Sequence, residues 1–192
     1  FSLIFLTLSH FKIIDLDYFF RDSSLYNSLS IHNNRMFDDD SPAFELASKI
    51  YNKYIIIYSS QMLESVAYRF RCQLAENSKI ISSHFVFPEQ NHNEIEAFQN
   101  SNIEDVAFIW LSDKDDDSRI TNRMQITQDL LSNAGSHCSI EISSLSPEEN
   151  SDRWIRILKM VSYVDWISYY CAILHGTDPT PVNKIEKLKG LL

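Results

Sequence analysis

Glycine is scarce in this chain, with three in 192 residues. A dinucleotide fingerprint (GxGxxG) or a P-loop (GxxxxGK[ST]) needs glycines grouped within one turn, where the backbone must approach a phosphate, so neither can be built here. No GxSxG elbow is present either, which disfavours α/β-hydrolases. The three cysteines, Cys72, Cys138 and Cys171, are widely spaced and form no CxxC. A disulfide framework or a thiolate metal site needs paired or closely spaced cysteines, so the thiols of a cytoplasmic protein are the simpler reading. The sequence offers no metal constellation, and no metal or other cofactor is expected. Basic residues are outnumbered, 17 against 26 acidic, for a net charge of −9, so the overall field does not favour nucleic acid or an anionic membrane. The apolar opening from Phe1 to Ile14 is interrupted by His10 and Lys12 and falls short of the roughly 20 residues of a membrane helix. It lacks both an initiator methionine and the basic start of a signal peptide. The chain is expected to begin inside a longer protein.

What is present suits one well-filled core. Hydrophobic residues make up 44% and charged ones 22%, a folded composition. Ser41-Pro42 predicts a helix start, with an N-cap and Pro at the first helical position, running through Ala43, Leu46, Ala47 and Ile50. Tyr54–Tyr58 is a continuous β-branched and aromatic run, apolar on both faces, as a central parallel strand requires. Met62 to Lys79 follows with helical spacing. Val106–Leu111 predicts a second buried strand, Ile120 to Asn133 its crossover helix, and Ser139–Ile142 a third strand. Pro147-Glu148-Glu149 opens another helix that reaches Leu174 before Gly176 stops it. Asp178-Pro179-Thr180-Pro181 is a rigid turn, and Val182 to Leu188 a last amphipathic helix. Alternating strands and helices predict an α/β fold, an open parallel sheet covered on both faces. The acidic runs at Asp38–Asp40 and Asp113–Asp117 read as solvated loops, because neither has the alternating ligands and glycine of a calcium loop.

With no phosphate loop, candidate chemistry must come from side chains at strand and helix ends, where open α/β sheets bind ligands. Three stretches concentrate such residues. The first runs from Arg69 to Lys79. Glu76 lies near the end of this helix, against the negative end of its dipole, which tends to raise a carboxyl pKa and suits a base working near neutrality. A surface Glu paired with Lys79 three residues on is the plainer reading of this helix alone. The second stretch is Phe87 to Ile95, where His92 offers a side chain able to give and take protons near neutral pH. By itself a lone His is more often structural or simply exposed. His10, His32, His84, His137 and His175 have no comparable neighbourhood. The third is Gly176 to Lys189, which alone reads as a helix with a basic last turn.

Taken together and in this order, Glu76-Asn77-Ser78-Lys79, the Pro88-Glu89-Gln90-Asn91-His92-Asn93-Glu94 stretch and the terminal D-P-T-P-V-x-x-I-x-x-L-K motif (178–189) resemble the C-terminal domain of bifunctional phosphoglucose/phosphomannose isomerases, members of the sugar isomerase (SIS) superfamily. The likeness covers residues 50–98 and 160–190 best, and the middle by its pattern of elements. It implies a three-layer αβα sandwich with a parallel SIS-type sheet over residues 41–192, and residues 1–40 as a helical connection from an N-terminal SIS domain. It further implies a sugar-phosphate substrate and a homodimer, with the active site in the cleft between domains and completed by the partner subunit.

The family's catalytic glutamate falls on Glu76, its histidine on His92 and its C-terminal lysine on Lys189. Its threonine linked to mannose phosphate use falls on Thr180. Arg69 and Asn93, within the first two stretches, are expected to bind substrate. Arg71 stands where lysine is expected, and Gln90 where leucine is common. The Ser/Thr/Gly-rich phosphate loop of a first SIS domain is absent from the sequence, so the fragment is expected to be inactive alone. A non-catalytic SIS module that senses a phosphosugar and regulates a partner is the competing expectation. A purely structural dimerisation domain is a third. Glu76, His92 and Lys189 argue against both, because neither role needs a base.

Overall fold

The computed structural model describes residues 23–37, 40–100, 103–134, 138–143 and 153–192. Residues 1–22 of the expected connecting segment, Asp38 and Asp39, His137 and the helix start expected at Pro147 lie outside them. The elements in chain order are α1 (Ser23–Phe37), α2 (Pro42–Lys49), β1 (Tyr54–Ser60), α3 (Glu64–Glu76), β2 (Ser82–Phe87), α4 (Glu94–Ala97), β3 (Val106–Ser112), α5 (Ser118–Asn133), β4 (Ser139–Ser143), α6 (Arg153–Leu174) and α7 (Asn183–Lys189). Short 3-10 turns at Gln61–Leu63, Glu89–His92 and Phe98–Asn100 link them. Strands lie parallel in the order β2-β1-β3-β4.

The continuous apolar runs explain the layering. Successive strand side chains point to opposite faces. Ile55 and Ile57 of β1 and Ile109 of β3 therefore enter a core built with Leu46, Val66, Phe70, Leu74, Val164 and Ile167 from α2, α3 and α6. Ile56, Tyr58, Phe108 and Trp110 face the other way, onto Met124 and Leu131 of α5. Helices cover both sides, which gives the three layers that the strand pattern predicts.

One strand was not foreseen. Ser82–Phe87 forms β2 at the sheet edge, where all but Phe87 are half-buried. An edge strand faces one neighbour only, so Ser82, Ser83 and His84 fit there, and the apolar run that marks β1 and β3 is missing from it.

Local signals hold at the boundaries. The Ser41 hydroxyl accepts from the Phe44 amide, with Pro42 at the first helical position. Helix α6 ends in a Schellman arrangement around Gly176 at φ +63, with Thr177 N–H donating to the Ala172 carbonyl and Gly176 N–H to that of Ile173. Helix α6 is long and apolar enough to cross a membrane by length and composition, with mean hydropathy 1.2. One face of it is used in packing: Met160, Val164, Ile167 and Cys171 are buried in the core, while Trp154 and Ile173 are exposed. The C-terminal end of α1 contributes Met36 to the same core, and its carbonyl accepts from Ser41 and Tyr170 hydroxyls.

The acidic run after β3 is not simply solvated, which corrects the sequence reading. Asp113 is buried and bound by Arg156 of α6, Nε to Oδ2 and Nη2 to Oδ1, both at 2.9 Å. Nη2 also donates to Asp115. Periodicity hid this because Arg156 occupies an inward position of an otherwise apolar helix. Removing one partner strands a buried charge, which costs about 3–5 kcal/mol. Asp113→Leu is therefore expected to lower the unfolding free energy by about that amount, and Asp113→Leu with Arg156→Met by clearly less. Urea unfolding of both variants checks it.

Candidate active site

The end of α3 is fixed by side chains of the E-N-S-K stretch. Asn77 Nδ2 donates to Ser168 Oγ of α6 at 2.8 Å, and the Ser78 hydroxyl donates to the Ser168 carbonyl. Further upstream on the same helix, Arg69 clamps Asp165 of α6 with Nε on Oδ1 at 2.9 Å and Nη2 on Oδ2 at 2.7 Å. Lys79 then leaves the helix at φ +61, and its ammonium donates to the Glu76 carbonyl. Lys79 thus binds the backbone of Glu76 and not its carboxylate, so the ordinary helix pair is not what forms.

Glu76 is the last residue of α3, exposed, and on the wall of a cavity of about 570 Å³. Arg71, Lys79, Ser82, Thr177, Asp178, Asn183 and Lys184 supply the other polar groups, and Ile80, Ile81, Pro181, Val182 and Ile185 an apolar side. The D-P-T-P-V segment is shaped by Asp178, whose Oδ1 accepts from the Thr180 amide at 2.9 Å. That bond, with the Lys79 charge nearby, holds the Asp178 carboxyl below its usual range. An apolar wall with a few convergent donors is what a small polar ligand needs. A carboxylate among cations can take a proton from carbon while the cations steady an anion.

The expected site residues divide. Glu76 and the C-terminal segment come together. Thr180 and Lys189 ride on that segment but do not line the cavity; Lys184 does. Arg69 lies on the helix that carries Glu76, and the charge of Glu76 reaches it. Its fork is engaged by Asp165, so the contact it makes here is structural. His92 and Asn93 lie at the other end of the sheet, in and just after the turn that follows β2. The length of β2, roughly 17 Å at about 3.3 Å per residue, separates that turn from Ser82 on the cavity wall. Arg71, Lys79 and Lys184 line the cavity but were not assigned to the site by sequence reasoning, which named Arg71 only as a departure from lysine and Lys79 only as a helix partner. The lysine that closes E-N-S-K was the available signal.

A parallel αβα sheet with a ligand-sized cavity at a helix end defines an α/β domain built to hold a small ligand. Solved structures agree on the fold: a hypothetical protein of Thermus thermophilus superposes with TM-score 0.69 at 10% identity, over 88% of this chain and 48% of that one. A glucose-6-phosphate isomerase like protein of the same organism gives 0.58 at 18%, over 80% and 48%. The chain belongs to the family described as the bacterial phospho-glucose isomerase C-terminal SIS domain, whose model matches residues 39–192. It is 35% identical over 158 residues to a bifunctional phosphoglucose/phosphomannose isomerase of Caldicellulosiruptor bescii, covering 81% of this chain and 45% of that protein. The counterpart from Aquifex aeolicus is 30% identical over 146 residues, 76% and 44%. The chain therefore spans about half the length of these relatives.

Because Glu76 is exposed and outside both cores, Glu76→Gln is expected to change the unfolding free energy by no more than about 0.5 kcal/mol. Thermal and urea unfolding of the variant check this, and they separate loss of chemistry from loss of fold.

Proposed function

We propose that this chain is the C-terminal half of an aldose–ketose isomerase that interconverts glucose 6-phosphate or mannose 6-phosphate with fructose 6-phosphate. The observation that carries this reading is the shared cavity, in which Glu76 meets the D-P-T-P-V segment and the cations Arg71, Lys79 and Lys184. The names of the curated relatives support it. Glu76 takes the proton from C2 of the open-chain aldose, leaving a cis-enediol(ate), and returns it to C1 of the ketose. Rotation about C2–C3 lets glucose and mannose phosphates, which differ at C2, share one ketose product. His92 and Lys189 move protons on and off the ring oxygen and the neighbouring hydroxyl. Thr180 and Asn93 bind the sugar, while Arg69, expected from the sequence to do the same, holds the helix of Glu76 through its fork on Asp165. No metal or cofactor enters the mechanism.

Since β2 lies between Glu76 and His92, one chain does not close both on the same carbon. A second copy supplies the histidine, in a homodimer whose sites each combine Glu76 of one subunit with the imidazole of the other. The phosphate is anchored by an N-terminal SIS domain that residues 1–40 connect to residues 41–192. The enzyme is cytoplasmic, where the free thiols Cys72, Cys138 and Cys171 stay reduced.

Three outcomes test this. In the protein that joins this chain to its N-terminal half, Glu76→Gln lowers kcat by about 10²–10⁴ and removes solvent deuterium incorporation at C1 of fructose 6-phosphate. Retention of that exchange would leave a phosphosugar-sensing module as the better reading. Subunits carrying Glu76→Gln, refolded with an equal amount of His92→Ala subunits, regain about a quarter of wild-type activity, because half the dimers hold one complete site of two. No regain would mean that each site is built within one chain. The 192-residue chain alone turns over fructose 6-phosphate negligibly in a coupled assay.

A further inference from the structure

The turn that carries His92 is seated by polar groups with no part in the chemistry above. Gln90 is 2% exposed, and its Nε2 is buried without a hydrogen-bond partner. The same holds for Oη of Tyr58 on β1 and Oε2 of Glu94 at the start of α4. Tyr58 is held by its stack on Trp110, with ring centroids 4.5 Å apart. Asn91 of the turn donates to Thr127 of α5 at 3.2 Å. The Tyr58 phenol, near the C-terminal end of β1, is acted on by both Glu94 and Gln90, and Glu94 lies two residues along the chain from His92. Glu94 is half-buried with Oε2 out of solvent, so an ionised carboxylate there would keep one oxygen from water with no cation acting on it. A neutral carboxyl keeps a proton to donate, and such a group buried near a phenol and an amide is far less costly.

We propose that Glu94 is a positioning residue for His92: its neutral carboxyl seats the 89–97 stretch against Tyr58, and its ionisation loosens that stretch. The inference rests on His92 facing substrate only for its catalytic consequence; the pH-dependent seating stands by itself.

Burial pushes the Glu94 carboxyl up from 4.5 to about 7, outweighing the Tyr58 hydroxyl, which favours the ionised form. Burial and the Glu94 charge push the Tyr58 phenol the same way, so it remains protonated throughout. Among the described residues, Tyr58 is the titratable group that acts on Glu94; Glu89 and His92 of the turn and Glu96 of α4 are exposed to solvent. A carboxyl with a raised pKa in the seated state stabilises seating fully below 4.5. That stabilisation falls as pH rises towards 7 and levels off above it.

The test is amide hydrogen exchange across residues 89–97 of the 192-residue chain, corrected for intrinsic rates, at about pH 5 and about pH 7.5. Wild type is expected to exchange at least about tenfold faster at the higher pH. Glu94→Gln, which cannot ionise, is expected to change by less than about twofold. Tyr58→Phe keeps the ring but removes the phenol, and is expected to speed exchange already at the lower pH. A pH-independent wild type, or a Glu94→Gln variant that keeps the step, overturns the proposal. If Glu94→Gln does not fold, an unchanged rate in Tyr58→Phe at the lower pH overturns it instead. In the longer protein, Glu94→Gln should also shift the pH profile of kcat with KM unmoved. Absence of any isomerase activity there would remove the functional reading and leave the exchange result to decide this one.

Discussion

Strands β1 and β3 lie between two layers of helices, and this double burial decides where anything polar can go. Their central positions are filled by apolar or aromatic side chains, on one face against α2, α3 and α6 and on the other against α5. Unpaired polar groups in such a layer cost more than they return, so reactive side chains are confined to the strand and helix ends. A parallel sheet has two such edges, one strand length apart. The cavity with Glu76 occupies one and the His92 turn the other. The proposed two-subunit site follows from that separation.

The same constraint makes α6 the central helix. It packs on α2, α3 and α1, and its inward polar side chains find partners. Arg156 meets Asp113 after β3, Asp165 meets Arg69, and Ser168 receives both Asn77 and Ser78. These contacts bind loops from opposite edges of the sheet to one rigid element. The end of α3, with Glu76 on it, is held by hydrogen bonds to a helix rather than left to a loop. That gives a base a defined direction even though the residue itself is open to solvent.

The His92 turn is held differently. Its anchors are Gln90, Asn91 and Glu94, set against Tyr58 and Thr127. A polar side chain at a buried position replaces packing with hydrogen bonding, which depends on protonation and geometry where packing does not. One half of the proposed site is thus braced by an ion pair and short hydrogen bonds, and the other by a carboxyl that titrates near neutrality.

By itself, the sequence determined the layered α/β fold, because doubly apolar runs at Tyr54–Tyr58 and Val106–Leu111 have no other stable environment. It also determined the helix boundaries at Ser41-Pro42 and Gly176, where capping is a local matter of backbone geometry. The three motif stretches were legible as candidates, and Glu76 was legible as a helix-end carboxylate. Only the tertiary structure decided the rest. Strand β2 is stabilised by pairing with β1 along one edge, a non-local bond that leaves little trace in its own composition. Arg156 and Asp113, distant in sequence, become buried together only when α6 crosses the end of β3. Arg71, Lys79 and Lys184 reach the cavity only when the C-terminal segment folds back on α3. The division of Glu76 and His92 between opposite edges is likewise invisible in sequence order, because chain proximity does not carry across a strand.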